Sequence, residues 1–305
     1  MGKYKSELSE FLHNTLTQIG HRQDYLIQKI SELQNHVTCL YEMSNDTDNI
    51  PPARGHLQLI QRASIELAKR IDADLRAAGI VYFLGGGNLL GAVRNNGKFI
   101  PWDDDIDFDL LRPDFERAVA LLTEKYNHDF YHTKWCTSGG IFKIFFNNKI
   151  CVDLFPMDIY TKRTQTAEDI EQFRQDYKIA MDEARKWERG QSKYSGYADI
   201  INDLIMHGEP PAPDGDLFEG VDWQLKAERI TRHYHNYLWR NEWILPHGEI
   251  EFGGHKFMCP RDPKAWLTTR YGDWEKFKPE FSKHYKYQLT CHDIKLLQSF
   301  IDGKI

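Results

Sequence analysis

Tyr82-Phe83-Leu84-Gly85-Gly86-Gly87-Asn88-Leu89-Leu90-Gly91-Ala92-Val93-Arg94 is followed, after the turn Asn95-Asn96-Gly97-Lys98, by Asp103-Asp104-Asp105-Ile106-Asp107-Phe108-Asp109-Leu110. Residues 80–84 are β-branched and aromatic, which predicts a short strand. The glycines break it, and residues 88–94 open a helix. From Asp105 onward, acidic and apolar side chains alternate with the two-residue period of a strand. Bare backbone N–H groups at a helix start therefore lie close in sequence to a row of carboxylates.

Working outward, Leu57, Ile60, Ser64, Leu67, Ile71 and Leu75 recur at helical spacing, predicting a helix over residues 56–78 that Gly79 stops. Pro113 opens another, to about residue 126. The apolar runs 141–146 and 150–159 flank Asn147-Asn148-Lys149 and read as a β-hairpin. After Thr166 the pattern is helical to about residue 189, Pro-rich over 209–215 and helical again over 221–239. The fold class is α+β: a small mixed sheet carrying the acidic strand, then a mainly helical region over 166–305.

Upstream, Leu12, Leu16, Ile19, Gln23, Leu26, Ile30, Leu33, Val37 and Leu40 alternate steps of four and three. That heptad seam predicts a coiled coil within residues 1–42, joining copies of the chain through residues 12–40. Residues 43–55, with a Pro-Pro pair, read as a linker, and the catalytic core as 56–165.

At 305 residues the chain can bury a large core. Five scattered cysteines without a C-x-x-C pair indicate neither a disulfide framework nor a thiolate zinc site, and favour a cytoplasmic setting. The N-terminus lacks a signal peptide's apolar core, and no apolar run approaches a membrane span, which leaves at most a peripheral place at the inner face of a membrane. Thirty-nine basic against 45 acidic residues give −6, which argues against a surface built to grip nucleic acid.

Asp105 and Asp107 share one face of their strand about 7 Å apart, close enough to hold a divalent cation. An EF-hand loop is excluded, because Phe108 and Asp114 stand where Gly and Glu are required. Asp153, in the apolar strand Cys151-Val152-Asp153-Leu154-Phe155, is costly to bury alone and so is expected to meet the pair as a third ligand or as a base. Gly85, Gly86 and Gly87 offer N–H groups to a phosphate. Together these form a kit for phosphoryl transfer assisted by Mg²⁺ or Mn²⁺.

The run from Tyr82 to Arg94, continued by Gly97-Lys98-Phe99-Ile100-Pro101-Trp102-Asp103-Asp104-Asp105-Ile106-Asp107, closely resembles the signature of the LicD family of phosphotransferases. Val152-Asp153-Leu154-Phe155-Pro156-Met157-Asp158, Phe252-Gly253-Gly254 and Arg270-Tyr271-Gly272-Asp273-Trp274 extend the likeness over about residues 56–279. The family's Gly-Gly-Thr is Gly86-Gly87-Asn88 here. The resemblance implies a DNA polymerase β-like nucleotidyltransferase fold. It also implies transfer of a phosphorylated alcohol, such as phosphocholine or ribitol phosphate, from a CDP-activated donor to a glycan of a surface polysaccharide or lipopolysaccharide, with release of CMP.

Chemistry and resemblance together assign Asp105 and Asp107 to the metal, with Asp103 completing the shell directly or through water, and Asp153 as ligand or base. Gly86, Gly87 and Asn88 are placed at the donor phosphates, and Arg94, Lys98 and Lys143 are candidates for its pyrophosphate. Trp102 either stacks on a base or quaternary ammonium or wedges the loop, and Arg270 and Tyr271 either face the acceptor or only pack. Two rivals use the same metal logic: a D-x-D glycosyltransferase acting on a nucleotide-sugar, and a nucleotidyltransferase adding NMP to a small molecule.

Overall fold

The computed structural model describes residues 15–17, 19–20, 22–23, 25–27, 29–30, 33, 52–136, 140–221, 238–275 and 289–305. The predicted first helix is α1 (Gly55–Ala77), with Leu57, Ile60, Ser64, Leu67, Ile71 and Leu75 all buried. Gly79, at φ +61°, ends it. There follow β1 (Phe83–Leu84), α2 (Gly86–Arg94), β2 (Ile106–Leu111) and α3 (Arg112–Lys125), then β3 (Tyr131–Trp135), β4 (Phe142–Phe146) and β5 (Ile150–Ile159). Helix α4 (Ala167–Glu188) starts at a capping box in which Thr166 and Asp169 exchange side-chain to backbone bonds. Then come α5 (Tyr197–Leu204), β6 (Leu217–Glu219), β7 (Leu238–Trp239), α6 (Asn241–Ile244), β8 (Gly248–Phe252), β9 (His255–Cys259), α7 (Pro263–Tyr271) and α8 (Cys291–Ile301).

The architecture is mixed α+β. Seven strands form one sheet in the order β1-β2-β5-β4-β3, with β6 added to β5 and β7 to β6, while β8 and β9 form a separate hairpin. Only β2 and β5 pair in parallel; the other pairs are antiparallel. Alternation divides the large sheet into two faces. Ile106, Phe108 and Leu110 of β2, Val152 and Leu154 of β5 and Ile144 of β4 point into the main core with residues of α1, α3 and α8. The opposite face carries Asp107 and Asp109 of β2, Asp153 and Met157 of β5, Lys143 of β4 and Glu219 of β6. Part of it is roofed by Leu89 and Leu90 of α2 and Trp266 and Leu267 of α7. A third cluster joins Phe173, Tyr177 and Met181 of α4 to Phe218 of β6.

Several expectations are corrected. The strand expected over 80–84 shrinks to Phe83–Leu84. The region over 166–305, expected to be mainly helical, also carries strands: β6 and β7 extend the large sheet and Gly248–Cys259 form the hairpin. Trp239 belongs to a strand rather than to a helix ending there, because Leu217 of β6 supplies its partner; residues 222–237 lie outside the described residues. Most of the heptad segment does too. Those seam positions that are described, Leu16, Ile19, Gln23, Leu26, Ile30 and Leu33, are helical. Leu16 and Leu33 are 67% and 61% exposed, so neither is docked on this chain's own core. No helix among the described residues is long and apolar enough to cross a membrane.

Candidate active site

Strand register builds the site. Parallel pairing puts Asp107 of β2 opposite Asp153 of β5, and antiparallel pairing puts Lys143 of β4 on the other side of Asp153. Asp105, one residue before β2, completes a group with Asp107 and Asp153 in which one ligand atom from each lies within 4.8 Å of the others. Asp153 is 4% exposed and divides its oxygens: Oδ2 is ion-paired with Lys143, whereas Oδ1 is buried with no hydrogen-bond partner.

The glycine turn is fitted to these carboxylates. A Cβ on Gly85 would lie 2.4 Å from Asp109 Oδ2, one on Gly86 2.1 Å from Asp107 Oδ2, and one on Gly87 2.6 Å from Asp103 Oδ2. Three consecutive side chains are thus excluded by three carboxylates, and Gly86 also needs φ +53°. Gly85 caps α2 with no side-chain bond, leaving the helix start to backbone groups.

Asn88 is fully buried, and its amide latches this helix to the acidic segment. Nδ2 donates to the Asp105 carbonyl at 2.9 Å, and Oδ1 accepts from the Asp107 N–H at 2.7 Å. The geometry thus makes Asn88 a brace of the turn. Two residues of α1 act likewise: Gln61 donates to the Asp103 carbonyl at 2.8 Å and Ser64 to that of Asp104 at 3.5 Å. Neither was legible as a site residue, since the only signal was a polar residue on the buried stripe of α1.

Burial and mutual repulsion push the carboxylates toward protonation. Burial, then the charges of Asp105 and Asp107, hold Asp103 well above the usual carboxylate range. Burial followed by the Asp105 charge pushes Asp104 up to about 7. Asp107 is raised by burial and by Asp105, Asp153 and Asp109, with Arg270 opposing. Burial raises Asp153 against the opposing charge of Lys143, and raises Asp109 to about 6 against that of Arg270. Burial alone would lower the Lys143 pKa, but the Asp153 charge more than reverses this and raises it. Such a set is stable in ionised form only with added positive charge. All-oxygen donors and the unpartnered Asp153 Oδ1 suit a hard divalent cation such as Mg²⁺ or Mn²⁺.

The other candidates disperse. Arg94, at the far end of α2 from the glycines, bonds the Asn95 side chain and the Trp274 carbonyl. Lys98 is exposed on the turn beyond it. Trp102 is partly buried against the cluster of Trp239, Trp266 and Trp274. Arg270 is ion-paired with Glu219, and its charge reaches Asp107 and Asp109. Tyr271 packs beside it, its ring 5.8 Å from the guanidinium. Glu219 went unread in the sequence because nothing in Leu217-Phe218-Glu219 marks a strand.

Residues 79–188 match the domain family described as LicD/FKTN/FKRP, nucleotidyltransferase domain. The lipopolysaccharide cholinephosphotransferase LicD of Haemophilus influenzae is 47% identical over 53 residues, 17% of this chain and 19% of that protein. Ribitol 5-phosphate transferase FKRP of Mus musculus is 36% identical over 101 residues, 31% of this chain and 20% of the relative. The matched segment thus spans about a fifth of the length of each curated relative. Among solved structures, the lincomycin-bound lincosamide antibiotic adenylyltransferase LnuA aligns with 77% of this chain and 96% of its own, at TM-score 0.33 and 16% identity.

Proposed function

We propose that this chain, whose residues 79–188 match the LicD/FKTN/FKRP nucleotidyltransferase domain family, is a metal-dependent phosphotransferase. It would move a phosphorylated alcohol from a CDP-activated donor to a glycan hydroxyl and release CMP, on a nucleotidyltransferase-type fold. The observation that carries this reading is the convergence of Asp105, Asp107 and Asp153 beneath a glycine turn shaped around Asp103, Asp107 and Asp109. The printed activities of the relatives, transfer of cholinephosphate and of ribitol 5-phosphate, supply the class of group moved.

Asp105, Asp107 and Asp153 would hold the cation, with Asp103 beside them, and the cation would neutralise the donor's phosphate oxygens. The backbone N–H groups at Gly86 and Gly87 would meet those oxygens, and Arg270, whose charge reaches Asp107 and Asp109, would add positive charge there. The acceptor hydroxyl oxygen attacks the phosphorus that carries the alcohol; its bond to the CMP oxygen breaks, and CMP leaves. Asp153, whose Oδ2 is ion-paired with Lys143, would serve either as a metal ligand or as the base that takes the hydroxyl proton. Residues 12–40 would pair with a second copy of the chain.

Incubation with Mg²⁺ and a panel of CDP-alcohols and nucleotide-sugars, with the released nucleotide identified, tests the reading. CMP release dependent on a glycan acceptor is expected. Release of a nucleoside diphosphate with sugar transfer would replace it by a glycosyltransferase, and pyrophosphate release from an NTP by a nucleotidyltransferase.

A further inference from the structure

Arg270 descends from the last turn of α7 onto the end of β6, where its guanidinium is ion-paired with Glu219. Both side chains are largely buried, 10% and 5% exposed. Glu219 is fixed in place: its backbone pairs with Met157, and its carbonyl accepts a 2.9 Å bond from the Tyr177 hydroxyl. The guanidinium lies 5.2 Å from the Trp266 ring, which steadies it from the helix side. Since Met157 also pairs with Leu111, Glu219 stands two strands across and two residues along from Asp109. Strand spacing and rise make that about 12 Å. Glu219 is thus set apart from the acidic cluster, while the charge of the arginine it holds bears on both Asp107 and Asp109.

A buried Arg–Glu pair is a poor way to pin a helix, since apolar residues of similar volume often do as well or better. Its presence here calls for another role. Arginine brought near several carboxylates without a competing anion would settle on them and occupy the place of a cation.

We propose that Glu219 is a positioning residue that holds Arg270 off the Asp105, Asp107 and Asp153 cluster, keeping the cluster open to a divalent cation and presenting the guanidinium to the diphosphate of a nucleotide donor. This rests on the phosphoryl-transfer reading above and adds to it the residue that keeps the two positive charges, metal and arginine, in separate places.

The test uses the full-length protein, Mn²⁺ titrated by electron paramagnetic resonance, and CDP titrated calorimetrically into Mn²⁺-loaded protein. Glu219→Gln should weaken Mn²⁺ binding roughly tenfold, the scale of one charge coupling, as Arg270 moves onto the carboxylates. Removing the competitor in Glu219→Gln/Arg270→Gln should restore Mn²⁺ binding to the wild-type level or better. Arg270→Gln and the double variant should both lose CDP affinity roughly tenfold. The double variant removes both charges of the pair together, so it reports even where the single glutamate variant folds poorly, and Arg270→Gln reports independently. Wild-type Mn²⁺ affinity in Glu219→Gln, a double variant no better than a folded Glu219→Gln, or undiminished CDP binding by Arg270→Gln would each overturn the tether. A wild-type protein that binds neither Mn²⁺ nor CDP would overturn the phosphoryl-transfer reading itself, and the tether with it.

Discussion

Replacing Gly86 with alanine should harm the site far more than the fold. Gly86 has φ +53°, and an alanine Cβ there would lie 2.1 Å from Asp107 Oδ2. The left-handed backbone costs a non-glycine residue about 1–2 kcal/mol. Gly79→Ala incurs the same cost at φ +61°, but there nothing lies within 4 Å of the new Cβ. The two substitutions therefore share the strain and differ in the clash. Real Cβ contacts stay beyond 3.0 Å, so either the Asp107 carboxylate swings away from its place or the turn moves off it. Turn and carboxylate must separate by about 1 Å, a misplacement that can cost about 10²-fold in rate. Urea denaturation should show losses of about 1–2 kcal/mol in both variants. Mn²⁺ titration and CMP release should show a defect in Gly86→Ala alone. Equal Mn²⁺ affinity and equal turnover in the two variants would refute the idea that the glycine turn positions Asp107.

Asp107→Asn should raise the thermal midpoint in EDTA, because it removes one repelling buried charge, while abolishing the stabilisation that Mg²⁺ gives the wild type and lowering turnover by about 10³-fold or more; near-normal turnover in EDTA would exclude a metal role. Asp293 is buried, which alone would raise its pKa, yet bonds from the Thr290 backbone and hydroxyl hold it below the usual carboxylate value. Its contribution is therefore fully present above the unfolded pKa near 4 and is lost progressively as pH falls from there through the lowered folded value. Asp293→Ala should cost about 1 kcal/mol at pH 7 and markedly less at pH 3, as read by urea midpoints. Deleting residues 1–42 should lower the mass seen by light scattering and leave turnover of a soluble acceptor intact, since each apolar seam side chain can contribute ~1.5–3 kcal/mol to association; an unchanged mass would remove the seam as the cause of assembly.

The stretch from Tyr82 to Leu110 was legible because its pattern is regular and its chemistry is not: Ile106, Phe108 and Leu110 fill the core face of a strand whose other face is given wholly to carboxylates. The 141–159 hairpin was legible because both its strands are apolar and its loop is short. Tyr131-His132-Thr133-Lys134-Trp135 was missed, as an edge strand with a polar, partly exposed sequence offers no clean alternation. Strand β6 has three residues and owes its conformation to the far half of β5, so no local pattern reveals it. Gln61 reaches a carbonyl 42 residues away. Contacts of that kind depend on which helix face lies under which loop, and this is settled only by packing.

Strand β5 pairs with β4 across a short loop but meets β2 only after a long excursion, with Asp107 and Asp153 forty-six positions apart. Closing that larger loop carries an entropy cost that the hairpin does not, which places the parallel pairing late in the order of assembly. On that cost alone, Asp107 and Asp153 should meet only after the β4–β5 hairpin has formed, so their mutual repulsion is felt in a chain that already carries part of its sheet.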